Sequence, residues 1–173
     1  MSTFLDFATL DPMDALDLAV LIELEAYRRY QMFAKQLGYR YPNDPGSIFL
    51  SMAENEEKHG QELAERRKAL FGDAPRRVSL DDIFDVEAPD MGAVKSGMSA
   101  LQAFQVALSA EQKAFDFYDQ ALEYVTDPTI KELFIELRDE ETEHVRMVKE
   151  CIAKLPDEAA QGFEHDPDEL PAL

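Results

Sequence analysis

Glu141-Thr142-Glu143-His144 decides how this chain reads, and Glu56-Glu57-Lys58-His59 repeats it. In each stretch a Glu is followed three residues later by a His. On a helix that spacing puts both side chains on one face, with Cβ atoms about 5–6 Å apart. A carboxylate and an imidazole so placed can share a metal ion. The chain has three His, and two of them stand in this arrangement. One Glu-x-x-His alone is as readily a solvated helix face. A second copy in the equivalent place of a repeat gives the pair its weight.

Apolar periodicity around the two motifs predicts an all-α fold of four helices, at about 12–37, 45–71, 99–125 and 128–155. Asp11-Pro12, Asp44-Pro45 and Asp127-Pro128 read as helix starts, because Asp can cap free N–H groups and Pro fits the first turn. The first stripe is Leu16, Val20, Glu23, Tyr27, Tyr30, Ala34 and Leu37; the second is Phe49, Met52, Glu56, His59, Leu63 and Leu70. The third runs Phe104, Ala107, Leu108, Glu111, Phe115, Tyr118, Leu122 and Val125, and the fourth Ile130, Phe134, Leu137, Glu141, His144, Val145, Val148 and Ile152. Each stripe is apolar except where a Glu or a His interrupts it. Residues 72–98 form a long crossover with a capping-box-like start at Ser79. Such a connection suits an antiparallel four-helix bundle whose second and third helices run parallel.

The first and third helices superimpose at an offset of 88, matching Glu23 to Glu111, Ala26 to Ala114 and Tyr30 to Tyr118. The second and fourth superimpose at 85, matching Phe49 to Phe134, Glu56 to Glu141 and His59 to His144. The chain is therefore two helical hairpins of one design, each offering a lone Glu and a Glu-x-x-His. Packed about a pseudo-two-fold axis, they aim four carboxylates and two imidazoles at one point. Four buried carboxylates would resist ionising together, and two divalent cations would offset their charge. Glu25 competes with Glu23 for the place on the first helix. The two point roughly 200° apart, and only Glu23 lies on the stripe. Glu25 shares a second apolar face with Leu18, Leu21, Ile22 and Met32, which is expected to cover a partner subunit.

Composition narrows the function classes. The net charge is −19, from 36 acidic and 17 basic residues. No basic patch is on offer for nucleic acid or an anionic membrane. The lone Cys151 allows no disulfide framework and no Cys-x-x-Cys knuckle. Met1–Leu10 does not read as a signal peptide, and no apolar run is long enough to span a bilayer. A reducing, cytoplasmic setting is expected. Residues 1–155 read as one domain, and 156–173 as an acidic tail, mobile in solution, that holds His165 as a solvated residue.

Glu23-Leu-Glu-Ala26-Tyr-Arg-Arg29-Tyr30 and Met52-Ala53-Glu54-Asn55-Glu56-Glu57-Lys58-His59 resemble the first- and second-helix motifs of rubrerythrin, in the ferritin-like superfamily. The resemblance spans roughly residues 12–154. It implies a ferritin-like bundle with two iron ions, manganese being possible and zinc a redox-inert substitute. On that resemblance Glu56 and Glu141 bridge the ions, Glu23 and Glu111 are terminal ligands, and His59 and His144 each cap one ion. Two departures stand out. Rubrerythrins carry a further Glu where this chain has Ala114, and a four-Cys rubredoxin-like segment where this chain has a single Cys. Electrons are therefore expected from an unidentified donor protein or directly from Fe(II).

The leading expectation is a peroxidase- or ferroxidase-type oxidoreductase that reduces peroxide or dioxygen, or oxidises Fe(II). The alternatives are ferritin-type iron storage or shell cargo, a di-iron hydroxylase, and a metal-free interaction bundle. A homodimer or higher oligomer is expected. Tyr30 and Tyr118 could serve the site, though a core aromatic with a satisfied hydroxyl is the preferred reading. Asn55 and Glu140 could hold an imidazole of the opposite half, with solvent the expected fate of Glu140. Arg138 could pair with a site carboxylate or turn out to solvent; both stay open.

Overall fold

Three Asp-Pro steps start three of the four α-helices among the described residues. Asp11, Asp44 and Asp127 each turn a carboxylate back to accept from the first-turn amides of Asp14, Ser47 and Thr129, at 3.0, 2.9 and 2.8 Å. Pro follows each Asp, where its missing N–H costs nothing. The remaining start is a capping box: Ser99 Oγ accepts from the Gln102 amide at 3.1 Å, and Gln102 Oε1 accepts from the Ser99 amide at 3.0 Å. The computed structural model describes residues 6–38, 44–79 and 99–157. Within them lie a 3-10 turn at Phe7–Thr9 and helices α1 (Pro12–Leu37), α2 (Pro45–Phe71), α3 (Ala100–Tyr124) and α4 (Pro128–Lys154). No strand occurs among the described residues. The chain is an all-α, ferritin-like four-helix bundle. The crossover beyond Ser79, the tail from residue 158 and His165 lie outside the described residues.

Contacts fix the directions. Asp17 meets Arg67, Glu23 meets His59 and Phe33 meets Phe49, so α1 and α2 are antiparallel. Asp119 meets Arg138 and Glu111 meets His144, so α3 and α4 are antiparallel too. Phe49 stacks on Phe104 with ring centroids 4.7 Å apart. Farther along, Glu56 and Glu111 both reach His144, so α2 and α3 run parallel. Two glycines let the end of α1 and the start of α2 come close together. Gly38 ends α1 at φ 72°, and a Cβ on Gly46 would overlap the Gly38 carbonyl oxygen.

The core comes in two apolar blocks. One holds Leu16, Leu18, Ile22, Tyr118, Phe134 and Leu137; the other holds Tyr30, Phe33, Phe49, Met52, Phe104 and Val148. A fully buried Phe such as Phe49 or Phe134 stabilises the bundle by about 1.5–3 kcal/mol. Between the blocks, at the level of Glu23, Glu56, Glu111 and Glu141, the interior is polar.

Three sequence expectations are corrected here. Leu18, Leu21 and Ile22 are at most 3 % exposed within the chain's own core, so this face of α1 is not left for a partner. Leu70 is 56 % exposed, because it lines a small surface groove with Pro12 and Thr129 at the bundle's end. On α3, Phe115 is only half-buried, whereas Phe117 is buried. Phe7, in the segment ahead of α1, covers Phe117 edge-on with ring centroids 5.3 Å apart.

Candidate metal centre

Each helix delivers one part of the polar layer. Glu23 comes from α1, Glu111 from α3, Glu56 and His59 from α2, and Glu141 and His144 from α4. The four carboxylates are each 2–3 % exposed. The two imidazoles lie nearly parallel, 7° apart, with centroids 5.7 Å apart. Glu25, the rival on α1, stands outside the layer and pairs with Arg28 at 3.2 Å.

The two halves differ. His144 Nδ1 has three carboxylates around it: Glu56 and Glu111 at 3.3 Å and Glu141 at 3.4 Å. His59 Nδ1 has Glu140 at 3.8 Å and Glu23 at 3.9 Å. The His144 side chain is 9 % exposed and that of His59 is 23 % exposed. A solvent-open pocket reaches His59 between α2 and α4, lined by Glu62, Arg66, Glu136 and Glu140 among others.

The electrostatics reflect four acids packed in an apolar sheath. Burial raises the Glu141 carboxyl well above the usual range, and the charge of Glu111 adds to the rise. For His144 burial disfavours the charged form. Its contacts with Glu111 and Glu141 and the charge of Glu56 outweigh that, and its pKa is pushed up to about 12. Without metal, these contacts favour the imidazolium form of His144. It supplies positive charge where a cation would fit. Glu111 Oε1 and His59 Nδ1 are sealed from solvent with no hydrogen-bond partner among the described residues, a state that buried polar atoms rarely keep. Three triads each bring ligand atoms within 4.8 Å of one another: Glu56/His59/His144, Glu23/His59/Glu140 and Glu111/Glu141/His144. Carboxylates with imidazoles suit iron or manganese, and zinc fits the same donors. The residues fit a two-ion centre.

The neighbours sort out as follows. Tyr30 and Tyr118 are fully buried. Tyr30 stacks on Phe49 at 5.8 Å, and its hydroxyl finds no hydrogen-bond partner among the described residues, contrary to the expected satisfied hydroxyl. Asn55 is exposed and takes no part in the layer. Arg138 turns outward to Asp119 at 3.1 Å. Glu140 departs from its expected solvation: it is half-buried against His59, and burial raises its carboxyl. Its place beside Glu141 hid it, since adjacent helix positions point about 100° apart. The signal was the Asn55–Glu140 difference between the repeats. Gly60 was also missed; a Cβ there would sit 3.4 Å from Glu23 Cβ, in ordinary contact, so it marks how near α2 lies to that acid.

The family profile described as Rubrerythrin matches residues 14–154. An uncharacterized conserved protein from Magnetospirillum magnetotacticum MS-1, solved by crystallography, is similar at 27 % identity and a TM-score of 0.70. The similarity covers 85 % of this chain and 97 % of that one. No curated protein matches the chain.

Proposed function

The chain belongs to the rubrerythrin family, and on that premise we propose that it is a di-iron oxidoreductase of the peroxidase or ferroxidase type. The observation that carries this reading is the buried layer itself: four acids and two imidazoles from four helices, converging between two apolar blocks. Glu23, Glu56, His59, Glu111, Glu141 and His144 would hold the two ions. Bound as Fe(II), the ions would supply two electrons to peroxide, which takes up two protons and leaves as two waters. The bundle contributes orientation and exclusion of water. The apolar blocks on either side fix the rotamers of the acids and keep the local dielectric low. Oxidant would enter on the His59 side, where the pocket opens. A separate donor protein would restore the reduced state, and a homodimer or higher oligomer remains part of the proposal.

Iron handling of the ferritin type is the second reading. It is favoured by the acidic lining of the pocket, where Glu62, Glu136 and Glu140 stand beside His59 and suit an entering cation. Among the described residues no helix is long and apolar enough to cross a membrane.

One experiment separates these readings. Protein loaded anaerobically with Fe(II) is mixed with one equivalent of hydrogen peroxide. The oxidoreductase reading expects stoichiometric peroxide loss with about two irons oxidised per chain, repeated after chemical reduction. Many irons retained per chain under excess Fe(II) and air would favour storage. Peroxide left unconsumed would overturn the enzyme.

A further inference from the structure

His59 and His144 occupy equivalent places in the repeat but do not see equivalent charge. Glu56 and Glu141 both lean to His144, which also holds Glu111. At His59 Nδ1 the near family-type acid is Glu23, at 3.9 Å, with Glu56 within reach through the triad that joins both imidazoles. The remaining acid at that nitrogen is Glu140, at 3.8 Å. Both imidazoles turn Nδ1 toward their acids, so Glu140 stands on the ligating side of His59. Its counterpart in the first half is Asn55, which is exposed and uncharged. Arg66, the cation on the same α2–α4 seam, pairs with Glu136 at 3.4 Å.

We infer that Glu140 is a seventh side-chain ligand of the centre, holding the ion on the His59 side together with His59 and Glu23. The inference rests on the two-ion reading above. It makes the two ions unequal. The ion beside His144 is enclosed, while the ion beside His59 depends on a half-exposed acid next to the open pocket. That second ion is the one that exchanges and the one an incoming molecule meets first.

The test uses the full chain and Co(II) as probe, titrated anaerobically and followed by its visible absorption and by elemental analysis after gel filtration. Wild type is expected to take two ions. Glu140→Gln keeps a hydrogen-bonding amide near His59 but loses the anionic donor. It should hold one ion at wild-type affinity and the second at least about tenfold more weakly. Glu140→Asp, with the charge on a shorter arm, should recover part of that loss. Glu143→Gln, on the exposed side of α4, should match wild type. Two ions at unchanged affinity in Glu140→Gln would overturn the inference and leave the centre standing. Equal weakening of both ions would overturn the assignment to one side. No ion in wild type would remove the centre and this ligand together.

Discussion

The two halves of the centre come from one repeated design and end in different states. His144 is enclosed and ringed by three acids, whereas His59 is more than twice as exposed and has two acids at longer range. The repeat sets which helix face carries each ligand. The neighbours set what that side chain meets: Glu140 stands beside His59 where the other half has Asn55. A duplicated motif thus yields one enclosed imidazole and one open to solvent.

The sharpest way to break this contrast is to remove an acid that serves both halves. Glu56→Ala and Glu141→Ala should each abolish two-ion binding and lower Fe(II)-dependent peroxide loss by at least about 100-fold. Retention of both ions in either variant, read by elemental analysis, would mean that the acids do not bridge. Next comes the pair of imidazoles. In metal-free protein His144→Ala leaves three buried acids without their cation and should cost about 3–5 kcal/mol in urea unfolding. His59→Ala, at a more exposed place with longer contacts, should cost less than about 1 kcal/mol. Equal losses would show that the asymmetry has no energetic content.

A pH series sharpens the same point. Both resolved shifts in the enclosed half are upward: Glu141 above 4.5, and His144 from 6.5 to about 12. A raised folded-state pKa means that the native protein holds protons the unfolded chain has lost. The stability of the metal-free protein should therefore fall as pH rises from 4.5, with the His144 contribution complete below 6.5 and declining toward 12. Bound metal replaces those protons and should flatten or reverse the trend. Thermal melts from pH 5 to pH 9, with and without Co(II), check it; a metal-free melting temperature that rises steadily over this range would contradict the protonated His144. The smallest effect is expected at Arg138. Its contacts with Asp119 and Asp139 are surface pairs, so Arg138→Ala should change stability by less than about 1 kcal/mol and leave metal content unaltered.

Much of the architecture could be read from the sequence because its cues are local. Asp-Pro starts and three-four apolar stripes act within a turn or two, and the paired Glu-x-x-His ties both hairpins to one layer. The choice of Glu23 over Glu25 followed from helix geometry and from the repeat, which sets Glu23 against Glu111 and Glu25 against Lys113, and the structure places Glu23 in the layer and Glu25 outside it. What escaped depends on partners distant in sequence. Phe117 is buried because Phe7 folds back over it. Leu18, Leu21 and Ile22 looked like a face for another subunit because no stripe shows how far the other hairpin covers α1. Glu140 looked solvated because its environment is set by His59, on a different helix.

The central claim is that the polar layer is a two-ion centre built on both imidazoles. Its most direct test is metal content per chain, by elemental analysis of protein purified without chelator and then loaded anaerobically with Fe(II). Wild type is compared with the His59→Ala/His144→Ala double variant. About two ions per wild-type chain, lost in the double variant while helix content is kept, is the predicted result. A wild-type chain that holds no ion after loading would contradict it, and the repeat would then be a packing pattern alone.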